Sequence, residues 1–179
     1  VLLVFASYRM LARLGWRARG GAGLVLLVAL ALGWRTYARN RDYQSELAIW
    51  DANIRDWPHS DRAYLTRGSL HWQMQRYDEA ITDYDRSLEL NPRSAKAYVG
   101  RGNAFDARGQ HDQALRDFDK AIELDPHLAD AYDGRGGVML AKGQVDEALR
   151  DLDRAIALDP GYANTYLNRA RAHAAKREL

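Results

Sequence analysis

The chain has 179 residues, with 26 Lys and Arg against 24 Asp and Glu for a net charge of +2, five His and no Cys. The lack of cysteine excludes disulfides, thiol nucleophiles and thiolate metal sites. Residues 59–179 carry 18 basic and 20 acidic side chains, so the cationic excess lies upstream and this larger part has no basic footprint for nucleic acid.

Residues 1–41 hold seven arginines, no lysine and no acid. The segment 1–19 reads as the end of an apolar helix, VLLVFASY, followed by a loop bearing Arg9, Arg13, Arg17 and Arg19. Because the chain starts at Val1 without a methionine, a fragment of a longer protein is expected. Residues 20–38 are expected to form a membrane-spanning helix around the uncharged run from Gly20 to Trp34. Fifteen helical residues rise about 22 Å against a hydrocarbon core of about 30 Å, so the span borrows from its flanks. Arg19 and Arg35 can snorkel, and Trp34 and Tyr37 suit an interface. A buried core helix and a signal peptide are the competing readings of so short a run. Arginines on a short preceding loop mark a cytoplasmic side and place the residues after the span in a periplasm or lumen, although Arg35, Arg39 and Arg41 oppose that almost as densely.

From residue 58 onward the organisation changes. The four prolines, Pro58, Pro92, Pro126 and Pro160, stand 34 residues apart, and a fixed period of this size marks a stacked repeat array. Between them recur Tyr64, Tyr98, Tyr132, Tyr166; Gly68, Gly102, Gly136, Ala170; Ala80, Ala114, Ala148; Tyr84, Phe118, Leu152; and Leu90, Leu124, Leu158. Offsets of three and four, as in Tyr98, Gly102 and Phe105 or Ala114, Leu115 and Phe118, make each block two amphipathic helices. Gly109 and Gly143, with Gln75 in the first copy, come just after the first helix, where a left-handed residue closes it. Asn91-Pro92, Asp125-Pro126 and Asp159-Pro160 stop the second. Small residues at Gly68 and Ala80, and at their copies, let the two helices approach closely.

This pattern resembles the tetratricopeptide repeat family over Asp61 to Leu179, with Arg67, Arg101 and Arg135 where the family often has leucine. The fold class expected is an all-α superhelical solenoid: repeats at 61–94, 95–128 and 129–162, and a final helix at 163–179. Residues 39–60 form a degenerate half-repeat neck, since Tyr43, Leu47, Trp50 and Ile54 align with Tyr77, Ile81, Tyr84 and Leu88, and Glu46 departs from the alanine column. Trp50 and Trp57 are expected to pack on the first full repeat. The column Arg67, Arg101, Arg135, Arg169 runs beside Asp83, Asp117, Asp151, and two pairings are open: each arginine with the aspartate 16 residues on, or each aspartate with the arginine 18 on, as Asp151 with Arg169. Carboxylate pairs such as Asp83 with Asp85 read as repeated, solvated positions.

Nothing here announces catalysis, a cofactor or a metal. His59, His71, His111, His127 and His173 lack metal-ligand spacing, and the glycine groups lack a phosphate-loop context. Binding remains. In the family that the pattern resembles, first helices line a concave groove, which implies partner contacts from Arg62, Leu65, Ser69, Trp72, Lys96, Val99, Asn103, Asp106, Asp133 and Asn168. Trp72, with Leu65, Val99 and Asn103, is the expected anchor, and covering the neck helix is the competing role for Trp72. Family members that clamp chaperone C-terminal carboxylates use basic and amide residues where this chain has Leu65, Ser69, Asp130 and Gly134, so such a clamp is not expected. The expected function is a membrane-anchored interaction scaffold for a protein or peptide. The alternative is the acceptor-binding tail of a multi-span glycosyltransferase of the O-mannosyltransferase-like type. Partner identity and oligomeric state stay open.

Overall fold

A computed structural model describes residues 16–177 of the chain, with side chains at 28–37 and 41–177. These residues form eight helices and no strand: α1 (Trp16–Asp56), α2 (Asp61–Gln73), α3 (Tyr77–Leu90), α4 (Ala95–Ala107), α5 (His111–Leu124), α6 (Ala129–Ala141), α7 (Val145–Leu158) and α8 (Ala163–Arg177). The chain divides into two units, the first ending at Ser45 and the second running from Glu46.

In the first unit α1 begins at Trp16, so residues 16–19 are helical rather than part of a loop. The remainder of the expected apolar helix end and arginine loop lies outside the described residues. Every residue from Val28 to Tyr37 is exposed. The membrane span expected over 20–38 is not supported: among the described residues no helix is long and apolar enough to cross a membrane. The physical limit is the short uncharged run, closed by Arg35, and the side chains of 20–27 and 38 are outside those described.

The second unit is a regular succession of helix pairs. First helices begin at Asp61, Ala95, Ala129 and Ala163, the same interval as the prolines. Ser60 and Ser94 cap the first two, each Oγ accepting the amide three residues on at 3.3 Å. Gln75, Gly109 and Gly143 close the first helices at φ of 60°, 73° and 76°, the left-handed conformation expected of them. After the second helices Asn91, Asp125 and Asp159 each accept the backbone N–H two residues on, so the side chain before the proline fixes the turn as the helix stops.

Packing explains the small columns. Ala63, Ala80, Ala97, Ala114, Ala131 and Ala148 have no exposed surface. A methyl group on Gly68, Gly102 or Gly136 would sit 3.0 Å from Tyr84, Phe118 or Leu152. Those side chains reach on to the next repeat, where a methyl on Gly100 would lie 2.6 Å from the Tyr84 ring and one on Gly134 would lie 2.5 Å from that of Phe118. The third joint differs on both sides, with the smaller Leu152 on α7 and Asn168 at the position of those glycines.

The arginine column forms the first of the two pairings, within each repeat, and extends it. Arg67, Arg101 and Arg135 each fork Nε and Nη2 onto Asp83, Asp117 and Asp151 at 2.6–2.8 Å. Each also donates Nη1 to the aspartate 16 residues earlier, Asp51, Asp85 or Asp119, at 2.5–2.8 Å. Tyr64, Tyr98 and Tyr132 lie beneath the guanidinium groups at 5.5–5.8 Å. The pairing 18 residues on does not occur, because Arg169 approaches Asp153 at 2.9 Å and not Asp151. The carboxylate pairs are therefore not simply solvated: Asp83, Asp117 and Asp151 are buried and their exposed neighbours carry the ladder to the next repeat. A second ladder links each second helix to the following first helix through Asp78 with Arg108, Asp112 with Lys142 and Asp146 with Lys176.

The neck residues at the end of α1 keep only part of the pattern. Leu47 is buried, Trp50 and Ile54 are only half-buried where Tyr84 and Leu88 of their columns are buried, and Glu46 is exposed. Trp57 corrects the expectation of packing, since 69% of its surface is exposed.

Candidate functional site

Within the second unit, each first helix touches the next first helix, α2 with α4, α4 with α6 and α6 with α8, whereas no second helix touches the next second helix among the described residues. First helices therefore crowd along the inner curve of the stack and second helices fan out along the outer one. Side chains beside the tyrosine-glycine stripe face the inner curve.

A cavity of about 400 Å³ opens there. Its walls bring together six of the ten expected partner-binding residues, Leu65, Ser69 and Trp72 from α2 and Lys96, Val99 and Asn103 from α4, with Gln73 beside them. Asp130 at the start of α6 and Leu128 just before it close the far side. Trp72 is 41% exposed and turns a face to this cavity. Val99 is 7% exposed, packed on Phe118 and its neighbours from one side and lining the cavity from the other.

The other four expected residues lie elsewhere. Arg62 is exposed one turn before Leu65. Asp106 is held 2.9 Å from His111 Nδ1. Asp133 is buried and accepts a 3.2 Å hydrogen bond from the Asn168 amide. These two belong to the third joint of the array rather than to the cavity wall.

Tyr84 and Gly100 line the cavity but were not expected there. Tyr84 belongs to the second-helix aromatic column, and its hydroxyl donates to Ser69 Oγ at 3.3 Å, reaching the groove floor through the gap over Gly68 and Gly100. The signal was the hydroxyl itself, present at Tyr84 and absent from Phe118 and Leu152. Burial holds the Tyr84 phenol above its usual range. Asp130 is also pushed up, first by partial burial and then by Asp133 and Asp159, with Lys96 opposing. Tyr162 is raised by burial and by the same aspartates.

The sequence matches two family models, one described as a tetratricopeptide repeat over residues 65–129 and one as a TPR repeat over 136–176, together more than half of the chain. The chain belongs to the tetratricopeptide repeat family. No match was found among curated proteins. Similar solved structures include a crystal structure of MamA, 23% identical with a TM-score of 0.67, covering 78% of this chain and 81% of the other. The Arabidopsis OM64 TPR domain is 23% identical with a TM-score of 0.62, covering 64% and 95%. The first TPR of Spaghetti (RPAP3) bound to HSP90 peptide SRMEEVD is 22% identical with a TM-score of 0.62, covering 65% and 93%. At these identities the likeness is one of fold. Tetratricopeptide repeats of this kind are protein-binding scaffolds rather than catalytic domains.

Proposed function

We propose that this tetratricopeptide repeat array is an interaction scaffold that takes an extended segment of a protein partner into the cavity between α2, α4 and α6. The observation that carries this is the convergence of Leu65, Ser69, Trp72, Lys96, Val99 and Asn103 on one cavity around a partly exposed tryptophan. Half-exposed aromatics in a recess are the usual energetic anchors of a protein interface. Asn103 offers both a donor and an acceptor to a peptide backbone. A protein of the same fold solved bound to a peptide lends support to a peptide-binding role. The acidic tail named there is not the expected ligand here, since Asp130 stands in the wall and Leu65 and Ser69 offer no cation.

The test is affinity capture with the full chain and its Trp72→Ala and Asn103→Ala variants, with Arg154→Ala as a control on an outer helix. Both groove variants should lose partners that the control retains. Equal recovery by all four refutes the assignment.

A membrane tether is the second reading, favoured by the uncovered apolar residues of α1: Val28, Leu30, Leu32, Trp34 and Tyr37 are 49–70% exposed. Thr36 donates its hydroxyl to the Leu32 carbonyl at 2.9 Å, so the one aliphatic hydroxyl of this stretch needs no water. Retention in the pellet after alkaline extraction of cell membranes would support a tether, release would oppose it, and protease access to the repeats in spheroplasts would test the extracytoplasmic placement. The alternative of a glycosyltransferase tail rests on the order of apolar run, neck and repeats alone and gains nothing from the groove.

A further inference from the structure

In each full repeat the first helix receives a second helix of its own on one stripe. Gly68, Gly102 and Gly136 are buried there, and a methyl on any of them would lie 3.0 Å from Tyr84, Phe118 or Leu152. α8 carries the same stripe as Tyr166, Ala170 and His173, and all three are exposed. Among the described residues nothing covers it, since the helices that α8 touches are α6 and α7. The stripe already holds its packed pose. The Tyr166 hydroxyl donates to the Pro160 carbonyl at 3.1 Å, as that of Tyr132 does to Pro126.

A second observation says what fits this face. Arg67, Arg101 and Arg135 each fork Nε and Nη2 onto an aspartate of the second helix that packs on the stripe. Arg169 is the fourth of the column, and its Nε is buried without a hydrogen-bond partner among the described residues, although Asp153 stands 2.9 Å away. Asp153 is the aspartate of the preceding repeat, the place from which Asp119 accepts Nη1 of Arg135. The carboxylate that would fill the fork is the one not supplied. A covered guanidinium N–H without an acceptor is costly, and here it marks a place for an acidic side chain.

We propose that the exposed face of α8 docks an amphipathic helix of a partner protein, which sets a small residue against Ala170, a large apolar residue four positions later, and an aspartate just before that residue into the fork of Arg169. The second helices of the array display this pattern as Ala80, Asp83 and Tyr84, as Ala114, Asp117 and Phe118, and as Ala148, Asp151 and Leu152. A second copy of this chain does not fit. Its α3, α5 and α7 are already packed, and its neck has Glu46 and Ile49 where the pattern has alanine and aspartate. Docking extends the stack by one joint, with no use of the cavity between α2, α4 and α6.

The test uses the full chain and a fluorescein-labelled peptide with the sequence of residues 145–158, VDEALRDLDRAIAL, held helical by a covalent bridge between its exposed positions 150 and 154 and read by fluorescence anisotropy. The peptide should bind saturably. Arg169→Gln in the chain or Asp151→Asn in the peptide should each weaken binding about tenfold, and the two together no further than either alone. Ala170→Leu, at an exposed helical position that folding tolerates, should abolish binding without lowering the melting temperature. Equal binding of the Asp151→Asn peptide, or an Ala170→Leu chain that still binds, overturns the proposal. Loss of binding on Trp72→Ala also overturns it, because the peptide then lies in the groove. So does a dimer in sedimentation that Ala170→Leu dissociates, since a second copy then covers the face.

Discussion

At Arg101 a single side chain holds three helices, forking onto Asp117 of its own repeat and reaching Asp85 of the one before. Its neighbours hold the guanidinium proton affinity above the ordinary range, Asp117 first. Lysine cannot reproduce the planar fork. Arg101→Lys should therefore cost about 2 kcal/mol in urea unfolding, the usual worth of hydrogen bonds between charged groups in a partly covered site. Charge reversal at Asp117 should cost more, because it also leaves Arg101 facing a like charge. Gln75 is a smaller liability, the one non-glycine residue with positive φ among the described residues. Gln75→Gly should raise stability by up to about 1 kcal/mol, as Gly109 and Gly143 already do in the other copies. His71 responds to acid. It lies 3.7 Å from Asp83 with Nδ1 unpartnered, among Asp83, Arg67, Glu79 and Arg76, and burial more than any charge lowers its proton affinity. The folded state binds the proton less well than the unfolded chain, so stability is complete above the unfolded pKa of about 6.5 and falls as pH drops through it. His71→Phe, the residue that Phe105 supplies in the second copy, should flatten the melting temperature between pH 7 and 5.

Whole helices meet through the glycines, and these separate two roles that sequence cannot. Gly134 and Gly137 sit one turn apart on α6, yet a methyl at Gly134 meets Phe118 at 2.5 Å while one at Gly137 meets nothing within 4 Å. Gly134→Ala should cost about 1–3 kcal/mol through overpacking, and Gly137→Ala should gain up to about 1 kcal/mol from helix propensity, both measured by thermal unfolding. Phe118→Leu should recover part of the Gly134→Ala loss, since leucine is the smaller side chain that stands at this place in the third repeat. The helix pairs, their ends and the close-packed columns were legible in the chain because local spacing and proline and glycine chemistry dictate them. The second half of the arginine ladder was not. Asp51, Asp85 and Asp119 recur as plainly as the buried aspartates, but which carboxylate a long side chain reaches depends on how repeats stack. The same limit hid the ladder from Asp78 to Arg108 and its copies. In the groove the six converging residues were readable from their place beside the stripe, whereas the burial of Asp133 and the reach of the Tyr84 hydroxyl depend on the angle between repeats.

Taken as a molecule, the array is a chain of nearest-neighbour joints, and α8 covers the third repeat. It supplies Ala172 to the cluster of Val145, Leu149 and Leu152, Lys176 to Asp146 and Asn168 to Asp133. Ending the chain after Gly161 should expose that cluster, seen as a lower melting temperature and new binding of an apolar dye. The joints are also individually keyed, Tyr84 to Gly100 and Phe118 to Gly134, with Leu152 and Asn168 at the matching positions of the third. A key of this kind gives the array a grammar. Excising residues 95–128 brings Tyr84 onto Gly134, one glycine in place of another, and the shortened protein should fold. Excising residues 129–162, an equal length of the same fold, drives Phe118 onto Asn168, and that protein should not. The repeats look interchangeable, but they can be spliced in one order and not in the other.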